Sequence, residues 1–229
     1  MAGLNQTDTG GGGFRYSACL TERDIMQALR YIVEQIHTVV AATTDGNGEP
    51  VTCAIDIMDY DTDGLYFLTA KGKNFYNRLK KRGRIAFTGI KGESTMTSVA
   101  VSVRAKVCEI GTEYLRQLFE KNPYMYEIYP SEESRKALTV FRIYEGTGER
   151  FDLSEKPIER GSFEFGGAEM EETGYEVTEQ CNGCGICKSV CPQDCIGFIK
   201  KRAVIEQKNC LHCGNCFTNC PIGAVRKRG

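Results

Sequence analysis

The sequence predicts a mainly β part with short helices, closing as an antiparallel barrel, followed by a small α+β domain built around cysteine. Three observations predict this. Between residues 38 and 153 the apolar pattern alternates with a period of two in segment after segment, interrupted only by short stretches of helical spacing. Nine of the twelve cysteines lie between Cys181 and Cys220. Between these two regions, residues 166–174 are rich in Gly and Glu and read as a linker.

Composition narrows the function classes. The 229 residues carry 29 Lys and Arg against 30 Asp and Glu, a net charge of −1, so no charge excess points to nucleic acid or to a membrane surface. No apolar run approaches the ~18 residues of a membrane helix. The opening Met1–Asp8 has neither a basic region nor an apolar stretch, so no secretory signal is read and the expected compartment is the cytoplasm. In a reducing compartment, clustered cysteines bind metal more often than they pair as disulfides.

The elements follow in order. Residues 1–17 contain a Gly10–Gly13 run; no Lys-Ser/Thr pair or helix follows it as in a phosphate loop, so a flexible tail is expected. Thr21-x-x-Asp24 is a helix start signal, and Ile25, Met26, Leu29, Ile32, Val33 and Ile36 form one helical stripe. Thr38–Thr44 reads as a strand and Asp45–Gly48 as a turn. Val51–Tyr60 reads as one strand, with Val51, Cys53, Ile55 and Ile57 on one face. A turn at Asp61–Gly64 leads to a strand at Leu65–Thr69, a basic helix near Asn74–Arg82 and a strand at Arg84–Gly89. Ser98–Ile110 alternates, with Val99, Val101, Val103, Ala105 and Val107 on one side. A helix at Thr112–Lys121 stops near Pro123, and Leu138–Tyr144 with Glu149–Leu153 reads as a hairpin around Glu145-Gly146-Thr147-Gly148. The expected division is a barrel over 18–165, a linker over 166–174 and a second domain over 175–229.

That second domain is an internal repeat. Cys181, Cys184, Cys187, Cys191 and Pro192 recur as Cys210, Cys213, Cys216, Cys220 and Pro221, each 29 residues on. Both halves match C-x2-C-x2-C-x3-C-P, the run of bacterial ferredoxins. The resemblance implies one [4Fe–4S] cluster on Cys181, Cys184, Cys187 and Cys220, and a second on Cys210, Cys213, Cys216 and Cys191. Gly183, Gly185, Gly214 and Asn215 are small enough to let backbone N–H groups approach the sulfurs. The competing assignment is a pair of zinc sites, which favour two spaced Cys pairs over this spacing. Cys195 has Ala224 as its repeat counterpart and reads as packing, with a ligand role as the alternative. His212 reads as a loop residue or as a group tuning a cluster. Residues 175–229 carry eight cations and four acids, which two oxidised clusters would neutralise, as suits a relay wired into a larger protein.

In the first part, Leu65-Tyr66-Phe67-Leu68-Thr69-Ala70-Lys71-Gly72-Lys73-Asn74 runs from a strand through a two-lysine turn into a helix start. Free N–H groups and the positive dipole end make a phosphate site there; a solvated basic helix face is the plainer reading. Residues 22–165 resemble the pyridoxamine 5′-phosphate oxidase-like FMN-binding split barrel. The likeness lies in Thr38–Tyr60, in Phe67–Leu79 leading to Arg84–Phe87, and in Ser98–Ile110. It implies a homodimer with FMN at the subunit interface. It implies that Thr69, Lys71, Lys73 and Asn74 hold the phosphate and that backbone near Thr52, Cys53 and Ala54 runs along the ring. The tail from Phe151 to Gly166 resembles small members that join this barrel to a ferredoxin module.

The departures bear on the substrate. Cys53 or a neighbour stands where the oxidases proper carry an Arg, Thr97-Ser98 stands where they carry Arg-Gln, and their C-terminal arm has no counterpart. Pyridoxamine phosphate oxidation is therefore not expected. Cys53 and Cys108 read as strand packing, and Tyr60, Tyr66 and Tyr76 as core residues that can also approach a flavin. The expected function is an FMN- and iron–sulfur-dependent oxidoreductase exchanging electrons with a low-potential donor or acceptor protein and acting on a small molecule. Two alternatives stand: a non-enzymatic electron relay, and a haem-binding split barrel. Nucleic-acid binding through Lys80-Lys81-Arg82 or Arg226-Lys227-Arg228 lacks a recognised module.

Overall fold

Residues 22–229 are described in a computed structural model; the tail 1–17, Cys19 and Thr21 lie outside them. Helix α1 (Glu22–Tyr31) buries Ala28 and Leu29 and runs into a π-helical turn, Ile32–Ile36, that ends at His37 with φ 63°. Strands β1 (Thr38–Thr44) and β2 (Pro50–Asp56) pair antiparallel with Ala41 opposite Cys53. Their turn is fixed by the Asp45 carboxylate, which accepts from the N–H groups of Asn47 and Glu49. Then come β3 (Asp59–Asp61), β4 (Gly64–Ala70), α2 (Asn74–Arg82), β5 (Arg84–Lys91) and β6 (Val99–Gly111). Three short helices, α3 (Leu115–Lys121), α4 (Met125–Ile128) and α5 (Glu132–Arg135), precede β7 (Leu138–Asp152) and β8 (Glu159–Phe165).

These strands make one antiparallel sheet in the order β2-β1-β5-β6-β7-β4-β3, with β8 also beside β7. Its core is filled by Phe67, Phe87, Phe141, Phe163, Phe165 and Val101, Val103 and Val107 of β6, with Leu29 and Ile32 of the first helical segment closing it. Phe67 and Phe141 stack at 5.6 Å. Register breaks between Lys106 and Val107 and between Glu109 and Gly111 curve the long β6–β7 ladder. A second apolar cluster joins Met58, Tyr66, Leu118, Phe119, Met125, Leu138 and Val140 beneath α3 and α4. This is the expected barrel of β strands with short helices.

Two expectations are corrected. Val51–Tyr60 is two strands, because Ile57 and Met58 are both buried and their N–H groups go to different partners, His37 and Tyr66. The chain there crosses from β1 to β4. The hairpin around Glu145–Gly148 does not exist: β7 runs unbroken for 15 residues. Gly146 and Gly148 pass under aromatic rings instead of turning. A Cβ on Gly148 would lie 2.2 Å from Phe163 Cζ, and one on Gly146 would lie 2.5 Å from Ala105 Cβ.

After Phe165 the chain carries no helix or strand until β9 (Gly174–Val177), which pairs with the last strand, β12 (Val225–Arg228). Between these lie α6 (Ile186–Ser189), the hairpin β10 (Ile196–Ile199)–β11 (Arg202–Ile205), a 3-10 turn at Gln207–Asn209, and α7 (Asn215–Thr218). Val177, Ile196, Ala203, Ile205 and Val225 pack with cysteines in its core. Among the described residues, no helix is long and apolar enough to cross a membrane.

Candidate redox centres

The C-terminal thiols ring two cavities. Cys181, Cys184, Cys187 and Cys220 line one. Cys191, Cys210, Cys213 and Cys216, with Cys195, line the other. Each half of the repeat thus gives three thiols to one cavity and its last thiol to the other. The local cause is a tight reversal. Gly185 and Gly214 have φ 84° and 82°, a left-handed conformation that starts α6 and α7 and turns Cys187 and Cys216 inward. A short turn then carries Cys191 and Cys220 across, and Pro192 and Pro221 end it.

Backbone amides already point at sulfur. His212 N–H donates to Cys210 Sγ at 3.4 Å, and Ala224 N–H to Cys220 Sγ at 3.2 Å. Burial pushes the thiols of Cys187 and Cys210 up, and that of Cys216 to about 11. Cys220 is lowered: burial is outweighed by the N–H groups of Ile222, Gly223, Ala224 and Val225. A metal entering these cavities displaces thiol protons as it binds. A single zinc would draw four thiolates to about 2.3 Å of one point. Four thiols around each cavity, delivered three from one half of the repeat and one from the other, are the donor set of an iron–sulfur centre.

Cys195 is buried, with its Sγ 3.4 Å from Cys191 Sγ, in a place its counterpart Ala224 fills with a methyl. Burial and then Cys191 push its thiol up. It packs in the core and also lines the cavity. His212 has a buried Nε2 without a hydrogen-bond partner, and φ 55°. Burial and then the Arg160 charge lower its pKa.

The second site lies where β4 meets α2. Thr69 is buried at the end of β4, opposite Thr139. Lys71, Lys73 and Asn74 are exposed around the start of α2, which no side chain caps. The donor set is two ammonium groups with open backbone N–H groups at a positive helix end. Thr52, Cys53 and Ala54 lie on β2, the outermost strand in the sheet order, whose outer edge pairs with no strand among the described residues. The two segments are neighbours: burial raises the Cys53 thiol pKa, while the charges of Arg78 and Lys73 lower it.

Arg78 was only one of several basic residues in the sequence. Its Nε donates to the buried Thr43 Oγ1 at 2.8 Å, and its guanidinium lies 6.0 Å from the Phe75 ring. The available signal was its position, four residues after Asn74 on the same helix face. Tyr60, Tyr66 and Tyr76 each donate to a carboxylate, of Glu34, Asp61 and Glu109.

The profile of the pyridoxamine 5′-phosphate oxidase family matches residues 25–150, more than half of the sequence. The chain belongs to that family. Residues 180–224 match a 4Fe-4S dicluster domain, the electron-transfer module of ferredoxins. A ferredoxin of Rickettsia felis is 37% identical over 54 residues, covering 23% of this chain and 50% of its own length. Ferredoxin-1 of Caulobacter vibrioides is likewise 37% identical over 54 residues, covering 23% of this chain and 48% of its own. The chain therefore spans about half the length of the curated relatives it matches. In fold, a NimC/NimA family protein of Clostridium acetobutylicum superposes with a TM-score of 0.51 at 14% identity, over 62% of this chain and 94% of that one.

In this member of the oxidase family the chain makes a tight turn just before β6. Thr97 bonds Ser94, and Ser98 donates to the Thr95 carbonyl, so both side chains close a local turn. On the barrel of the family, His37 Nε2 lies 3.1 Å from Tyr124 Oη, which donates to Asp56 at 2.7 Å.

Proposed function

We propose that the protein is an FMN- and iron–sulfur-dependent oxidoreductase, in which two [4Fe–4S] clusters exchange single electrons with a flavin that reduces or oxidises a small molecule. Residues 18–165 form the flavin-binding barrel, 166–174 the linker and 175–229 the iron–sulfur domain. The observation that carries this reading is the sorting of the eight repeat cysteines, four to each of two cavities, on a chain of the pyridoxamine 5′-phosphate oxidase family.

Cys181, Cys184, Cys187 and Cys220 hold one cluster, and Cys191, Cys210, Cys213 and Cys216 the other. Lys71 and Lys73 neutralise the FMN phosphate. The Thr69 hydroxyl and the first N–H groups of α2, from Asn74 on, donate to its oxygens. Backbone at Thr52, Cys53 and Ala54 borders the ring, and Arg78 adds charge from the next helical turn. When bound, FMN supplies the step between one-electron and two-electron chemistry.

The unit is a homodimer of the cytoplasm. The outer face of β2-β1-β5-β6 supports the pairing: Val40 is 55% and Ile90 65% exposed, with Ala42, Ala54, Ala86 and Ala100 between them. An apolar sheet face left exposed among the described residues is an interface signature.

The test is anaerobic purification with iron, sulfide and flavin counted per chain. About eight iron, eight sulfide and one FMN are expected. Lys73→Ala should strip the flavin and leave iron intact; retained flavin rejects the phosphate assignment. Zinc in place of iron, or no flavin absorbance near about 450 nm, overturns the reading. Substrate turnover by the isolated protein separates an enzyme from a relay that only serves a partner.

A further inference from the structure

The 29-residue repeat sets equivalent positions beside both centres, and among the described residues the hydrogen bonds to the barrel come from one set. At the Cys191, Cys210, Cys213 and Cys216 centre, Gln193 follows Pro192, and its Oε1 accepts from Ile158 N–H at 3.3 Å. Asn209, just before Cys210, donates from Nδ2 to the Ile158 carbonyl at 3.0 Å. Ile158 immediately precedes β8, and charges of Arg160 and Glu149 on the barrel reach His212. That centre therefore faces the barrel.

The repeat-equivalent positions at the other centre are Ile222 after Pro221 and Gln180 before Cys181. Both are exposed. Ile222 (43%), Phe198 (42%) and Ile199 (63%) present apolar surface there, and Ile222 and Phe198 themselves line the thiol cavity. Beside them the β10–β11 turn carries Lys200, Lys201 and Arg202. It packs against the cysteine loop so closely that a Cβ on Gly183 would lie 2.3 Å from the Lys201 carbonyl oxygen. Lys188 on α6 adds a fourth cation. Two acids adjoin, Glu179 and Asp194, the second held by Lys188 at 3.5 Å.

We propose that the face around Cys181, Cys184, Cys187 and Cys220 is the docking surface for an acidic one-electron carrier protein, which makes this centre the electron port and the Cys191, Cys210, Cys213 and Cys216 centre the one that serves the barrel. The inference rests on the iron–sulfur half of the proposed function and not on the flavin. An apolar patch with a cationic rim matches a partner whose own patch is rimmed by acids; opposite charges steer the encounter and the apolar contact excludes water. Because the patch lines the thiol cavity, docking there sets the two redox centres side by side. The carrier loses one electron, the port centre gains one, and no bond or proton moves.

The experiment uses the anaerobic holoprotein with a strongly acidic flavodoxin. Calorimetry with the oxidised flavodoxin gives affinity, and stopped flow with the reduced form gives the transfer rate. Lys200→Glu/Lys201→Glu should lower both by about tenfold or more at low salt, and the difference should shrink as salt rises. Reduction by dithionite should be unchanged. Ile199→Glu, which alters one exposed side chain, should weaken docking while iron content stays at the wild-type value. Arg23→Glu on α1 is the distant charge control and should change nothing. The proposal is overturned if both charge variants act alike, if Ile199→Glu binds normally, or if affinity rises with salt. A protein that binds no FMN but keeps its iron refutes the flavin reading and leaves this test intact.

Discussion

Gly148 lies flat in β7 with the ring of Phe163 against its Cα, and the same strand passes Ala105 at Gly146. Gly148→Ala must push an aromatic ring out of a filled core, so a loss of about 1–3 kcal/mol is expected, read as a lower denaturation midpoint with an unchanged slope. The Gly-Thr-Gly run was legible as special but not as to kind. Locally, glycine signals a turn and a close approach equally well. The deciding neighbour, Phe163, lies fifteen residues further on. Glu109 offers a second test at this scale. Burial opposes its ionisation, but hydrogen bonds from Lys80 at 2.8 Å, Thr139 at 2.7 Å and Tyr76 at 3.2 Å outweigh it and hold the carboxyl below its usual 4.5. With the folded value below the unfolded one, this cluster stabilises the fold above the usual carboxylate pKa. The contribution is lost as pH falls through the lowered folded value. Glu109→Gln should therefore flatten the acid limb of the stability curve between about pH 5 and pH 3, measured by urea unfolding at each pH.

Among the elements, two were read to the residue. Helix α2 falls on the expected Asn74–Arg82, and β1 on Thr38–Thr44, because each has an unbroken apolar stripe between strong stop signals. Helices α4 and α5 have four residues each, less than the spacing pattern needs to declare itself, and went unread. The break between β2 and β3 was hidden for another reason. Alternation continues through Ile57 and Met58 in sequence, while the backbone there changes partners. Helix α2 is also the element on which the proposed phosphate site stands. Arg78→Ala should weaken FMN by about tenfold or more, the worth of one charged hydrogen bond, in a fluorescence titration of the apoprotein. Arg78 also ties α2 to Thr43 of β1. If that is its entire role, apoprotein stability will fall and FMN affinity will not move.

For the whole molecule, the two cysteine centres were open to reading because the repeat encodes their spacing within short covalent loops. The attachment of the iron–sulfur part to the barrel was not. It depends on Gln193 and Asn209 meeting the backbone of Ile158, a pairing across 35 and 51 residues that no local pattern records. These two contacts make the sharpest test of how the parts work together. Each hydrogen bond contributes about 1 kcal/mol net, so Gln193→Ala with Asn209→Ala loosens docking by about 2 kcal/mol, up to a thirtyfold fall in the ratio of docked to undocked forms. Electron transfer needs the docked form, so passage from the thiol centres to the flavin, followed as flavin bleaching, should slow by up to that factor. Reduction of the port centre by flavodoxin should keep its rate, since the face around Cys181 is untouched. Iron per chain, measured in parallel, separates slowed transfer from a damaged Cys210 loop. Equal slowing of both steps would mean that electrons enter at the barrel-facing centre, and the order of the two centres would then be reversed.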